Sequence, residues 1–197
     1  MLNFKNLLVR ALLAFAMASG AGAALAGPTY HVDVDTSALA GSDGYLDFLF
    51  SAQGNAAFTS ATLSHFTGTF SGDTFASGGA SGSAAAGGAV STTDAWNELG
   101  LLASFGGHFG FDVSFAQATD NLIGSLFEVA LLGADLNYLA PTVGDIAQFQ
   151  LLPGAAVGLQ ASDFATISIV SDVPEPAEWM LMLTGLALLG LTLRRRA

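Results

Sequence analysis

The chain has 197 residues, with 16 Asp or Glu against five Lys or Arg and a formal net charge of −11. All five basic residues are terminal (Lys5, Arg10, Arg194, Arg195 and Arg196), so residues 27–172 hold fourteen carboxylates and no Lys or Arg. Such a body cannot neutralise phosphates, which excludes nucleic acid as a partner, and its carboxylates must be solvated, hydrogen-bonded or matched by a metal ion. There is no cysteine, so cohesion has to come from a core, and 13 of the 15 Phe lie in this body to build one.

Residues 1–26 read as a secretory signal peptide. Lys5 and Arg10 give a basic start, residues 11–18 a short apolar segment, and Ala24 and Ala26 a small-residue site before Gly27. The apolar stretch is shorter than the roughly 20 residues of a membrane span. Cleavage between Ala26 and Gly27 by signal peptidase is therefore expected.

From Tyr30 onward, apolar and polar residues alternate with period two. Tyr30, Val32 and Val34 oppose His31, Asp33 and Asp35, and Leu46, Phe48 and Phe50 oppose Tyr45, Asp47 and Leu49. Phe109, Phe111, Val113 and Phe115 oppose Gly110, Asp112 and Ser114; Ala147, Phe149 and Leu151 oppose Gln148 and Gln150; Ile167 and Ile169 oppose Thr166 and Ser168. Half-buried strands with one wet face give this pattern. Ser125–Leu132 predicts a strand buried on both faces except at Glu128. Glycine-bearing turns separate the runs, near Ser42–Gly44, Gly72, Gly106–Gly107, Gly133 and Pro153–Gly154. The sum is an all-β fold, an antiparallel β-sandwich or jelly-roll-like body over residues 27–172. Asp94–Leu99 predicts a helical turn with Asp94 as N-cap, and the Gly/Ala/Ser-rich Ser77–Gly88 predicts a flexible loop.

Constellations that carry chemistry are sparse. Asp33, Asp35 and Ser37 open like a calcium loop, but Ala38 and Gly44 stand where an EF-hand needs Gly and Glu. Asp33, Asp35 and Asp47 read first as solvated strand faces, with a sandwich-edge calcium site using Asp33, Asp35, Asp43 or Asp47 as the alternative; no other cofactor is implied. His31, His65 and His108 are far apart in sequence and form no zinc motif. The only glutamates of the body are Glu98 and Glu128, and its only tryptophan is Trp96. No nucleophile elbow, phosphate loop or dinucleotide fingerprint occurs, so no catalytic or metal residue is assigned and no enzyme is expected.

Residues 173–197 close the chain with Val173, Pro174, Glu175 and Pro176, then an apolar run from Trp179 to Leu193, then Arg194, Arg195 and Arg196. As a helix the run spans about 22 Å against a hydrocarbon core of roughly 30 Å. It is short for a permanent anchor and suited to a transient one, with Trp179 at the interface and the arginines held on the cytoplasmic side. This arrangement resembles the PEP-CTERM sorting signal. The resemblance implies processing by an exosortase-like membrane protease after transient anchoring in the inner membrane, in cells that make extracellular polysaccharide. The stretches Tyr30–Ser37, Gly44–Phe48 and Phe111–Val113 also resemble a subgroup of PEP-CTERM proteins, a likeness that implies no activity. The expectation is an exported cell-surface or extracellular-matrix protein, linked to biofilm or exopolysaccharide, with a structural or adhesive body. A carbohydrate-binding module, calcium-assisted or not, is the alternative, and an extracellular glycoside hydrolase the third reading. Exposed Tyr or Trp on one sheet face would favour the carbohydrate-binding module.

Overall fold

The computed structural model describes residues 27–54, 56–117, 123–139 and 144–170. The expected signal peptide with Ala24 and Ala26, the Val173–Pro176 motif, Trp179 and Arg194–Arg196 lie outside the described residues.

Twelve strands follow one another: β1 (Thr29–Asp35), β2 (Asp43–Ala52), β3 (Thr59–Thr67), β4 (Phe70–Ser77), β5 (Gly79–Ser83), β6 (Gly87–Ser91), β7 (Trp96–Ser104), β8 (His108–Gln117), β9 (Ser125–Gly133), β10 (Asp145–Leu151), β11 (Gly158–Ala161) and β12 (Ala165–Val170). The one helical element among the described residues is the 3₁₀ turn Ser37–Leu39; none of their helices is long and apolar enough to cross a membrane. The strands form two six-stranded antiparallel sheets, ordered β12-β1-β8-β3-β6-β5 and β11-β10-β9-β2-β7-β4.

The alternation read from the sequence decides which side of each strand is buried. Val32, Val34, Phe111 and Val113 of the first sheet meet Leu46, Phe48, Phe50, Phe127 and Phe149 of the second in one apolar cluster. Phe48 and Phe111 join the sheets edge to face, with ring centroids 5.0 Å apart. Ile167 packs against this cluster, but Ile169 stands exposed on β12, the edge strand of its sheet among the described residues.

Two expectations of local structure are overturned. Ser77–Gly88 is not a loop: β5 and β6 pair residue by residue from Gly79↔Ser91 to Ser83↔Gly87. Small residues are required there, since a Cβ on Gly82 would come within 2.4 Å of the Gly88 Cα. Nor is Asp94–Leu99 a helical turn, because β7 begins at Trp96. Asn97, fully buried, donates through Nδ2 to the Phe50 and Asp94 carbonyls and accepts through Oδ1 from the Gly79 and Asp94 amides. All four of its hydrogen-bonding positions are satisfied in the extended geometry.

Candidate functional site

Both sheets turn one face outward, and each outer face gathers titratable side chains from strands distant in sequence. On the second sheet, the antiparallel register sets Glu98 of β7 and Glu128 of β9 on either side of Leu49 of β2. The row continues through Gln148 of β10 to Gln160 of β11. In the next row Asp47 lies between Gly100 and Ala130, and Ala130 pairs with Asp145.

Asp145 reaches this face because of a bulge. The register of β10 against β9 shifts between Asp145 and Ala147, so Ile146 and Ala147 both turn into the core and Asp145 shares the outer face with Gln148. Strict alternation would have separated them.

Asp47, expected to be a solvated strand residue, is 4% exposed. The reason lies in its neighbours. Gly100, opposite it, leaves room for the Phe75 ring, whose Cε1 occupies the space a Gly100 Cβ would need, and Phe75 packs on Tyr45 with centroids 5.0 Å apart. Among the described residues, Asp47 Oδ1 has no hydrogen-bond partner. Burial, reinforced by the charges of Glu98 and Asp145, pushes its carboxyl up to about 8. Burial likewise pushes Glu128 up to about 7, with the charge of Asp145 and a hydrogen bond to it acting the same way. Gln148 Nε2 donates to Asp145 Oδ2 at 3.1 Å, and the Tyr138 hydroxyl to Asp145 Oδ1 at 3.5 Å.

Two exposed aromatic residues flank these carboxyls. Trp96, 56% exposed, precedes Glu98 by two residues and donates its indole N–H to Glu98 Oε2 at 3.0 Å. Tyr138, 47% exposed, bridges to Leu132 at the other end of the face. Alongside, hollows of about 400 and 280 Å³ share Leu126 and Gln150 in their walls.

The outer face of the first sheet collects all three histidines, which the sequence leaves scattered. His31 Nδ1 lies 2.6 Å from Asp112 Oδ1, and His65 Nδ1 lies 2.9 Å from Asp112 Oδ2. His65 arrives through another bulge, between Ser64 and Thr67 of β3, and holds φ at 51°. That left-handed conformation is costly for a residue with a Cβ. His108 Nδ1 sits 3.1 Å from Asp33 Oδ1; this hydrogen bond, with the charges of Asp33 and Asp35, raises its pKa. Asp112 thus ties β1 and β3 to β8. Asp112→Ala should remove both contacts and lower stability by about 1.5–3 kcal/mol, the scale of a hydrogen bond to a charged group. Urea unfolding of the variant checks this.

The four aspartates of the calcium alternative do not converge. Asp33 and Asp35 lie on the first sheet's outer face, Asp47 on that of the second, and Asp43 accepts a hydrogen bond from Ser104 at the start of β2. Among the described residues, no three His, Asp or Glu side chains are arranged to hold a metal ion. The signals for the second sheet's face were faint. Tyr45 and Leu49 on the polar side of β2 hinted that this side is partly covered, and Glu128 stood alone in an apolar run.

Fold and face together define an all-β protein of two antiparallel sheets with a carboxyl-rich, aromatic-flanked outer surface. Compared with protein-family models, with curated proteins and with solved structures, the chain matches none of them.

Proposed function

We propose that this chain is an exported surface or matrix protein, sorted through its C-terminal PEP-CTERM-like segment by an exosortase-type protease and linked to extracellular polysaccharide, with a structural or adhesive body. A cation-free sandwich set between two segments with the chemistry of sorting signals supports this reading. The chain would anchor transiently in the inner membrane and finish at the cell surface or outside. The strand order supports a jelly-roll description as well: β1-β8-β3-β6 faces β2-β7-β4, the interleaving produced when a long hairpin wraps into two sheets.

One observation favours the carbohydrate-binding form of adhesion: Trp96 and Tyr138 stand exposed on the same sheet face as a row of Gln and Glu side chains. Flat aromatic surfaces beside hydrogen-bonding groups suit sugar rings. The body acts as a binding module rather than an enzyme.

The sorting reading is tested on protein recovered from a host that has the processing protease. Intact mass should show a start at or near Gly27 and loss of Trp179–Ala197. Full-length chain retaining Arg194–Arg196 would overturn it.

A further inference from the structure

The carboxyl cluster of the second sheet has no counter-charge of its own. Glu98 comes from β7, Asp47 from β2, Glu128 from β9 and Asp145 from β10, and residues 27–172 offer no Lys or Arg to any of them. All three histidines lie on the opposite face of the sandwich. The groups that do face the cluster are Tyr45, Ser51, Phe75, Trp96, Tyr138 and Gln148, which are neutral or weakly acidic.

An independent sign of a missing partner is Asp47. The residue is more than nine-tenths buried beside these acids, and its Oδ1 has no partner among the described residues. Leaving a buried carboxyl oxygen without a donor is costly, and native structures seldom keep such a group without a reason. Asp145 and Glu98 carry the charge while burial keeps Asp47 and Glu128 protonated, and a positive charge arriving over Glu128 and Asp145 would stabilise the ionised form of each of these neighbours.

The surroundings decide what carries that charge. Trp96 and Tyr138 stand at diagonal corners of the carboxyl group, and the Glu128–Gln148–Gln160 row extends from it towards the edge strand β11. Five strand intervals make the sheet about 24 Å wide, enough for an oligomer rather than a single small cation. Uronic-acid, sulfated or phosphorylated polysaccharides are repelled by this face. We infer that the outer face of the second sheet binds an amino-sugar polysaccharide, its ammonium groups entering the carboxyl cluster between Trp96 and Tyr138 and its rings lying along the aromatic and glutamine side chains. The inference rests on the carbohydrate-binding reading above and specifies its ligand.

The test is calorimetric titration of the full chain at pH 6 with three probes of matched length: a glucosamine pentamer, its fully N-acetylated counterpart, and pentalysine. The glucosamine pentamer should bind at least tenfold more tightly than either of the others. Glu128→Gln with Asp145→Asn should weaken it tenfold or more, as should Trp96→Ala, whose exposed site leaves folding intact; circular dichroism confirms that each variant is folded. Equal affinity for the acetylated pentamer would overturn the amino-sugar assignment and leave the carbohydrate-binding reading standing. Equal affinity for pentalysine would reduce the face to unspecific charge and overturn the inference. Absence of binding to both sugars would overturn the two together.

Discussion

Phe127→Ala should lower stability by about 4 kcal/mol, the usual cost of truncating a fully buried phenylalanine. Phe127 is the hub of the aromatic core. Its ring centroid lies 5.4 Å from that of Phe50, 5.5 Å from Phe115, 5.9 Å from Phe149 and 6.3 Å from Phe48. These partners come from β2 and β10 of its own sheet and from β8 of the other. The void would therefore open between the sheets, where β1, β2, β8 and β10 are all held by their own ladders and cannot collapse into it. The melting temperature should fall by about 10 °C for a domain of this size. In urea the midpoint should drop while the slope stays unchanged, as for a loss of packing without a change in the surface exposed. A loss under 1 kcal/mol would mean the aromatic cluster is looser than its geometry shows.

The second large effect has the opposite sign. Asp47→Asn should stabilise the protein at pH 8, by on the order of 2–3 kcal/mol, and change little at pH 4. Between the ordinary aspartate range near 3.8 and about 8, folded Asp47 keeps a proton that the unfolded chain releases. Stability from this group is thus complete below the unfolded value and is lost as pH rises through the folded one. Glu128, raised to about 7, acts in the same direction over a narrower window. So does His108, whose raised pKa gives stability at acid pH that is lost as its proton leaves. Asp35 and Asp135 oppose them: both are lowered, by hydrogen bonds from Ser37 and Asn137 respectively, and their contribution vanishes as pH falls through their folded values. The wild-type chain should therefore be most stable in mildly acid solution, and Asp47→Asn should flatten the fall towards pH 8. Melting curves at pH 4, 6 and 8 decide it; a variant that gains nothing at pH 8 would show that Asp47 is not the strained carboxyl.

Side-chain alternation in β1, β2, β8 and β10 was legible because one face of each strand packs on the other sheet, and a period-two pattern survives any detail of topology. Both bulges were invisible. A single extra residue in β3 or β10 changes which face His65 and Asp145 occupy, yet leaves no mark in composition. Cross-strand neighbours were equally hidden: Glu98 and Glu128 are 30 positions apart in sequence and one strand apart on either side of Leu49. The expected solvation of Asp47 failed for a related reason, since its cover comes from Phe75, which can lie there only because residue 100 is glycine.

Gly79–Ser83 and Gly87–Ser91 have the make-up of a spacer, yet they close one edge of the first sheet. Apart from Val90 and Ala80, which pack on the core, their side chains are too small to hold by packing, so backbone hydrogen bonds and tight glycine contacts hold most of the two strands in place. A protease partial to Gly- and Ser-rich connectors would find no loose chain at Gly79–Ser83, because cleavage needs a segment that can leave its ladder. The same holds for a reporter or affinity tag: inserted within that strand it would pull the edge away from Val90 and Leu63, whereas at the exposed tip, Ala85, it would only lengthen the turn.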